Sequence, residues 1–115
     1  MLLFYIWDGI KSENISNLKL EYVDGIKWDE FIRLRFFWEE CKENGILVDY
    51  TEDSFFDRDQ VEILYHLCRK KHENANVDFY INGIGKRPSM TLYVHLLEIL
   101  SKVFDSKKAL FLMCD

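Results

Sequence analysis

The run best suited to hold an anion is Gly83-Ile84-Gly85-Lys86-Arg87. Glycines let backbone N–H groups converge on one point, and Lys86 and Arg87 add positive charge where a phosphate would sit. The P-loop pattern is not met. It needs four residues between its glycines and a Ser or Thr after the lysine, whereas Arg87-Pro88 follows here. Pro88 also stands where a dinucleotide fingerprint has its third glycine. An anion- or nucleotide-binding loop at Gly83, Gly85, Lys86 and Arg87 is one expectation, set beside a plain turn between a strand and a helix.

Metal ligation would draw on Cys41, His66, Cys68, His72, His95 and Cys114. Cys68 and His72 are four apart and share a helix face, but no HExxH or paired CxxC spacing exists. Cys68 also falls on an apolar stripe, the place of a small buried hydrophobe. No serine lies in a GxSxG elbow. His95, with Glu98 three residues on, reads as a partly buried structural histidine. The expectation is no catalytic residue, no metal and no cofactor.

The most lopsided chemistry lies in Asp49–Glu62, DYTEDSFFDRDQVE. The segment holds six of the chain's 20 acidic residues and one of its 15 basic ones, and the remainder balances. A field of this kind steers a basic partner. Tyr50, Phe55 and Phe56 offer apolar anchors of the sort that dominate interface energy. The expected binding set is Asp49, Tyr50, Glu52, Asp53, Phe55, Phe56, Asp57, Asp59 and Glu62. The competing expectation is a solvated loop and helix start that keep the protein soluble.

The elements that must position these residues follow from periodicity. Residues 2–7 form an apolar strand closed by Asp8-Gly9, and 18–23 alternate as a half-buried strand. Residues 27–43 read as one helix with two apolar stripes, Phe31-Leu34-Trp38-Cys41 and Trp28-Ile32-Phe36. Two stripes predict a helix covered on more than one side. Asp29 and Arg33 are spaced to pair on its polar side. A short strand is expected over 46–50 and a helix over 58–72. Asp57 and Gln60 would cap that helix, and Phe56 and Val61 would staple it. A strand over 77–81, a helix over 90–104 and a closing strand over 109–113 complete the set. Apolar strands alternating with three helices predict one small α/β domain spanning 1–115. Its sheet is expected to be mixed or mostly parallel, with about 4–5 strands.

Composition narrows the function. The three cysteines are odd in number and unpaired in spacing, which suits a cytoplasmic protein with reduced thiols. The N-terminal MLLFYIWDG lacks the charged start of a signal peptide. No apolar run reaches the roughly 20 residues that span a bilayer. A pI near 5 disfavours nucleic acid and anionic membrane as partners.

In size, acidity and the DYTEDSFFDRDQVE segment, the chain resembles bacterial toxin immunity proteins of the contact-dependent inhibition type. The INGIGKRPSMTLYVHLLEIL and LLEILSKVFDSKKALFLM segments are similar to parts of barstar-type ribonuclease inhibitors, although in those the first kind of segment is N-terminal. The resemblance implies a non-enzymatic acidic protein that occludes a cognate basic toxin domain, a nuclease by expectation. A small anion-binding domain and a subunit of a larger assembly are the alternatives.

Overall fold

The structure is a computed structural model that describes residues 1–10, 17–82 and 87–115, with side chains described outside 74–91. Among the described residues, four strands and four helices follow in the order β1 (Leu2–Trp7), β2 (Leu20–Ile26), α1 (Trp28–Arg33), α2 (Arg35–Glu43), β3 (Ser54–Phe56), α3 (Arg58–Asn82), α4 (Arg87–Asp105) and β4 (Ala109–Cys114). The sheet order is β2-β1-β4-β3, and every neighbouring pair is antiparallel. The expected mixed or mostly parallel sheet is thus corrected. One crossover helix would return the chain for a parallel strand. Here two antiparallel helices, α3 and α4, separate β3 from β4, so the second reversal brings β4 back antiparallel.

The α/β class stands, and three element expectations change. The helix expected over 27–43 breaks at Leu34, which sits at φ −94° and ψ 16° and leaves separate helices α1 and α2. Residues 46–50 form no strand. Ile46 and Val48 are buried and Leu47 is exposed, so the strand-like alternation is real, but no strand among the described residues pairs with it, and the Ile46 amide donates back to the Cys41 carbonyl. The edge beside β4 is taken instead by Ser54–Phe56. Residues 77–81 belong to α3, not to a strand. No glycine or proline interrupts 58–82, so nothing stops the helix before Gly83.

Strand parity divides the apolar residues between two faces. Leu2, Phe4, Leu110, Leu112 and Phe56 turn toward the helices and meet Phe37 and Cys41 of α2, Val61 and Leu64 of α3, and Leu96 and Leu100 of α4. The opposite face carries an aromatic row that crosses all four strands. The register sets Tyr22 opposite Tyr5, Tyr5 opposite Phe111, and Phe111 opposite Phe55. Their centroids are 5.4, 6.1 and 4.7 Å apart. Such cross-strand aromatic pairs stabilise sheets.

Between β1 and β2 the register slips, with Phe4 opposite Asp24 and Tyr5 opposite Tyr22. Val23 is the extra residue of a β-bulge. A bulge re-aims side chains. Val23 packs on the core, and Asp24 is turned to the helix side of the sheet.

Candidate functional site

The acidic segment runs from the loop after α2, along the β3 edge, into the first turns of α3. Each part is held by local chemistry. Asp49 Oδ1 accepts from the Thr51 amide and hydroxyl at 2.8 and 2.7 Å. Those two bonds hold the Asp49 carboxyl below the usual carboxylate range. Tyr50 packs its ring against Trp28 and Phe31 at 4.9 and 5.2 Å. Asp53 accepts from the Cys114 amide. Asp57 and Gln60 form the expected capping box, each side chain accepting from the other's backbone N–H at 2.9 and 3.0 Å.

Of the expected binding set, Glu52, Asp53, Phe55, Asp57, Asp59 and Glu62 are exposed, and Asp49 and Tyr50 are half-buried. Phe56 is not available to a partner. It faces the core and is almost fully buried, because its neighbour Phe55 takes the other face of the same short strand. Phe55 lies against Trp7 and Phe111 and keeps 39% of its surface in water.

The carboxylates do not form one uniform patch. Asp57 lines a cleft of about 300 Å³ with Asp8, Arg58, Lys107 and Lys108, so cations share its surroundings. Arg58 lies 4.7 Å over the Phe104 ring and 3.5 Å from Glu62. Further along α3, Asp59, Glu62, Ile63, His66, Leu67 and Lys70 line a shallow groove of about 500 Å³. Ile63 and Leu67 escaped the sequence reading. Ile63 lies off the Val61-Leu64-Cys68 stripe, and that helical offset was the available signal.

His95 also has a setting the sequence did not show. Its Nε2 faces Asp24 Oδ2 at 2.9 Å and its Nδ1 faces Glu30 Oε2 at 3.8 Å. The bulge in β2 supplies Asp24, and the first turn of α1 supplies Glu30, whose other oxygen accepts from the Lys27 amide. The His95 bond, followed by the Gly25 amide, holds the Asp24 carboxyl below its usual range. Nε2 is engaged by Asp24 and Nδ1 looks toward Glu30 beyond hydrogen-bond distance, so this histidine links α4 to β2 and sits beside the first turn of α1.

Cys41 and Cys68 lie fully buried in the core. Burial pushes the Cys41 thiol up to about 12 and the Cys68 thiol higher still. Neither suits thiolate chemistry. Among the described residues, no three His, Cys, Asp or Glu side chains gather where one ion would sit. No helix among them is long and apolar enough to cross a membrane. Gly83, Gly85 and Lys86 of the expected anion loop lie outside the described residues, as does the side chain of Arg87.

No protein-family model, no curated protein and no solved structure matches this chain.

Proposed function

We propose that this protein is a non-enzymatic binding protein that neutralises a cognate basic toxin domain, of nuclease type, by covering its active site. The observation that carries the reading is the outer face of α3. There Asp59 and Glu62 border Ile63 and Leu67, giving an apolar centre with a charged rim. Glu52 and Phe55 continue the same chemistry along the β3 edge. Exposed carboxylates would draw a basic surface in and take the place of nucleic-acid phosphates. Ile63 and Phe55 would supply the anchors. The bond of His95 Nε2 to Asp24 and the buried thiols of Cys41 and Cys68 fit a role in binding better than one in catalysis.

The test is affinity capture at low and high salt, with a triple variant Glu52→Gln/Asp59→Asn/Glu62→Gln as control. These three carboxylates cap no helix and hold no strand among the described contacts, so the fold should survive. A basic partner whose affinity falls with salt, and falls less steeply for the triple variant, supports the reading. A partner held equally by both proteins would refute it.

A further inference from the structure

We infer that the cleft at one end of the sheet binds a small phosphate ester of a hydroxyl-bearing sugar, with Lys107 and Lys108 on the phosphate. The register brings the parts together. β4 starts where β1 and β3 end, because Trp7 pairs with Ala109 and Phe56 with Leu110. Just beyond that pairing, Lys108 enters the strand between Asp8, which leaves β1, and Arg58, which opens α3. These segments border a cleft of about 300 Å³, with Lys107 also in its lining. That volume lies at the small end for ligand sites and suits a molecule of mononucleotide size.

The charges of the cleft are not all spent on one another. Arg58 is engaged, over the Phe104 ring and 3.5 Å from Glu62. Among the described contacts, neither Lys107 nor Lys108 has a carboxylate within ion-pair distance. Two adjacent ammonium groups without a counter-charge favour a phosphate. The two acids are half engaged. Asp8 Oδ1 accepts from the Ile10 amide at 3.0 Å, and Asp57 Oδ1 accepts from the Gln60 amide at 2.9 Å. The second oxygen of each takes no hydrogen bond among the described residues. It can accept from a hydroxyl, as a carboxylate reads a sugar diol. Carboxylates beside the lysines repel bare phosphate and welcome a phosphate that carries hydroxyls. Phe55, exposed at the rim, offers a ring on which a base can stack.

The backbone at Lys107 argues the same way. It stands at φ +59°, in the left-handed region, two residues past the end of α4. It is the one non-glycine residue at positive φ among those described. Glycine is the usual residue at such a helix end. A lysine held there against strain points to a use for its side chain. Of the residues named, only Phe55 also belongs to the surface proposed for the toxin domain, so the two sites are tested apart.

Calorimetric titration of the full chain at low ionic strength tests the inference. The probes are adenosine 5′-monophosphate, ribose 5-phosphate, inorganic phosphate and adenosine. The esters should bind and raise the thermal midpoint, inorganic phosphate should bind more weakly, and adenosine should not bind. Tighter binding of the nucleotide assigns the cleft to nucleotides, and equal binding of both esters assigns it to sugar phosphates. Lys107→Gly and Lys108→Gln should each weaken the esters about tenfold, the loss of one charge-assisted contact. Lys107→Gly should at the same time raise the midpoint of the free protein, because glycine relieves the backbone. A lysine that served only the end of α4 would show no loss of ligand on that change. Lys70→Gln, on α3 outside the cleft, should leave binding as it is. The inference is overturned if neither ester binds, if inorganic phosphate binds as tightly as the esters, or if Lys70→Gln costs as much as the cleft variants.

Discussion

Asp53 accepts a 2.8 Å hydrogen bond from the backbone N–H of Cys114, a residue 61 positions away. The bond ties the acidic segment to the last residue of the closing strand, next to the short pairing of Ser54–Phe56 with β4. This carboxylate therefore has a structural use as well as a surface position.

Asp53→Ala should accordingly lower stability by about 0.5–1 kcal/mol, the low end of the net value of one such bond, since this one is exposed. Urea unfolding of the parent and variant measures it. A variant as stable as the parent would show that the short β3 pairing holds the edge without Asp53.

Asp57→Ala should cost about 1 kcal/mol by removing the side-chain acceptor at the start of α3. Asp57→Ser should recover most of the loss, because a hydroxyl can accept from the Gln60 amide. Both effects are read from the denaturation midpoint at unchanged m-value.

Asp24 carries a pH dependence of definite sign. Its folded pKa lies below the ordinary 3.8, first because of His95 and then because of the Gly25 amide. Its contribution to stability is therefore complete above the ordinary carboxylate range. It fades as pH falls through the lowered folded value. About half of the side chain is exposed, so the effect should be well under ~1 kcal/mol after solvent screening. Asp24→Asn should flatten the acid limb of the stability curve by slightly lowering stability at neutral pH, with parent and variant converging below the lowered folded value. An acid limb identical in parent and variant would rule the contribution out.

The thiols should separate by accessibility. Cys114 is partly exposed, whereas Cys41 and Cys68 are buried with raised pKa values. A thiol reagent at neutral pH should modify Cys114 in the folded protein and reach the other two only after unfolding. Mass spectrometry of the modified protein tests this. Rapid labelling of Cys68 under native conditions would mean that α3 opens away from α4.

The residues by themselves determined what depends on near neighbours in the chain. The strand at 2–7, the closing strand expected over 109–113 and found over Ala109–Cys114, the Asp57–Gln60 capping box and the Asp29–Arg33 pair were all legible, because periodicity and i, i+3 or i, i+4 spacing carry that information. Tertiary structure alone decided the rest. Residues 46–50 and 77–81 are apolar enough for strands. A strand, however, needs a partner at an edge, and the edge of β4 was filled by Ser54–Phe56 while α3 ran on without a breaker. The antiparallel sense of the sheet came from pairing two helices between β3 and β4, a matter of packing that no local pattern encodes. In the acidic segment, the sequence located the charge but not its direction. Strand parity sent Phe56 inward, the cleft set Asp57 among cations, and the free face of α3 left Asp59 and Glu62 beside Ile63. The same is true of the Trp28-Ile32-Phe36 stripe. Spacing grouped the three on one face of an unbroken helix, whereas the break at Leu34 divides them between α1 and α2, and only the packing of those helices left them in water.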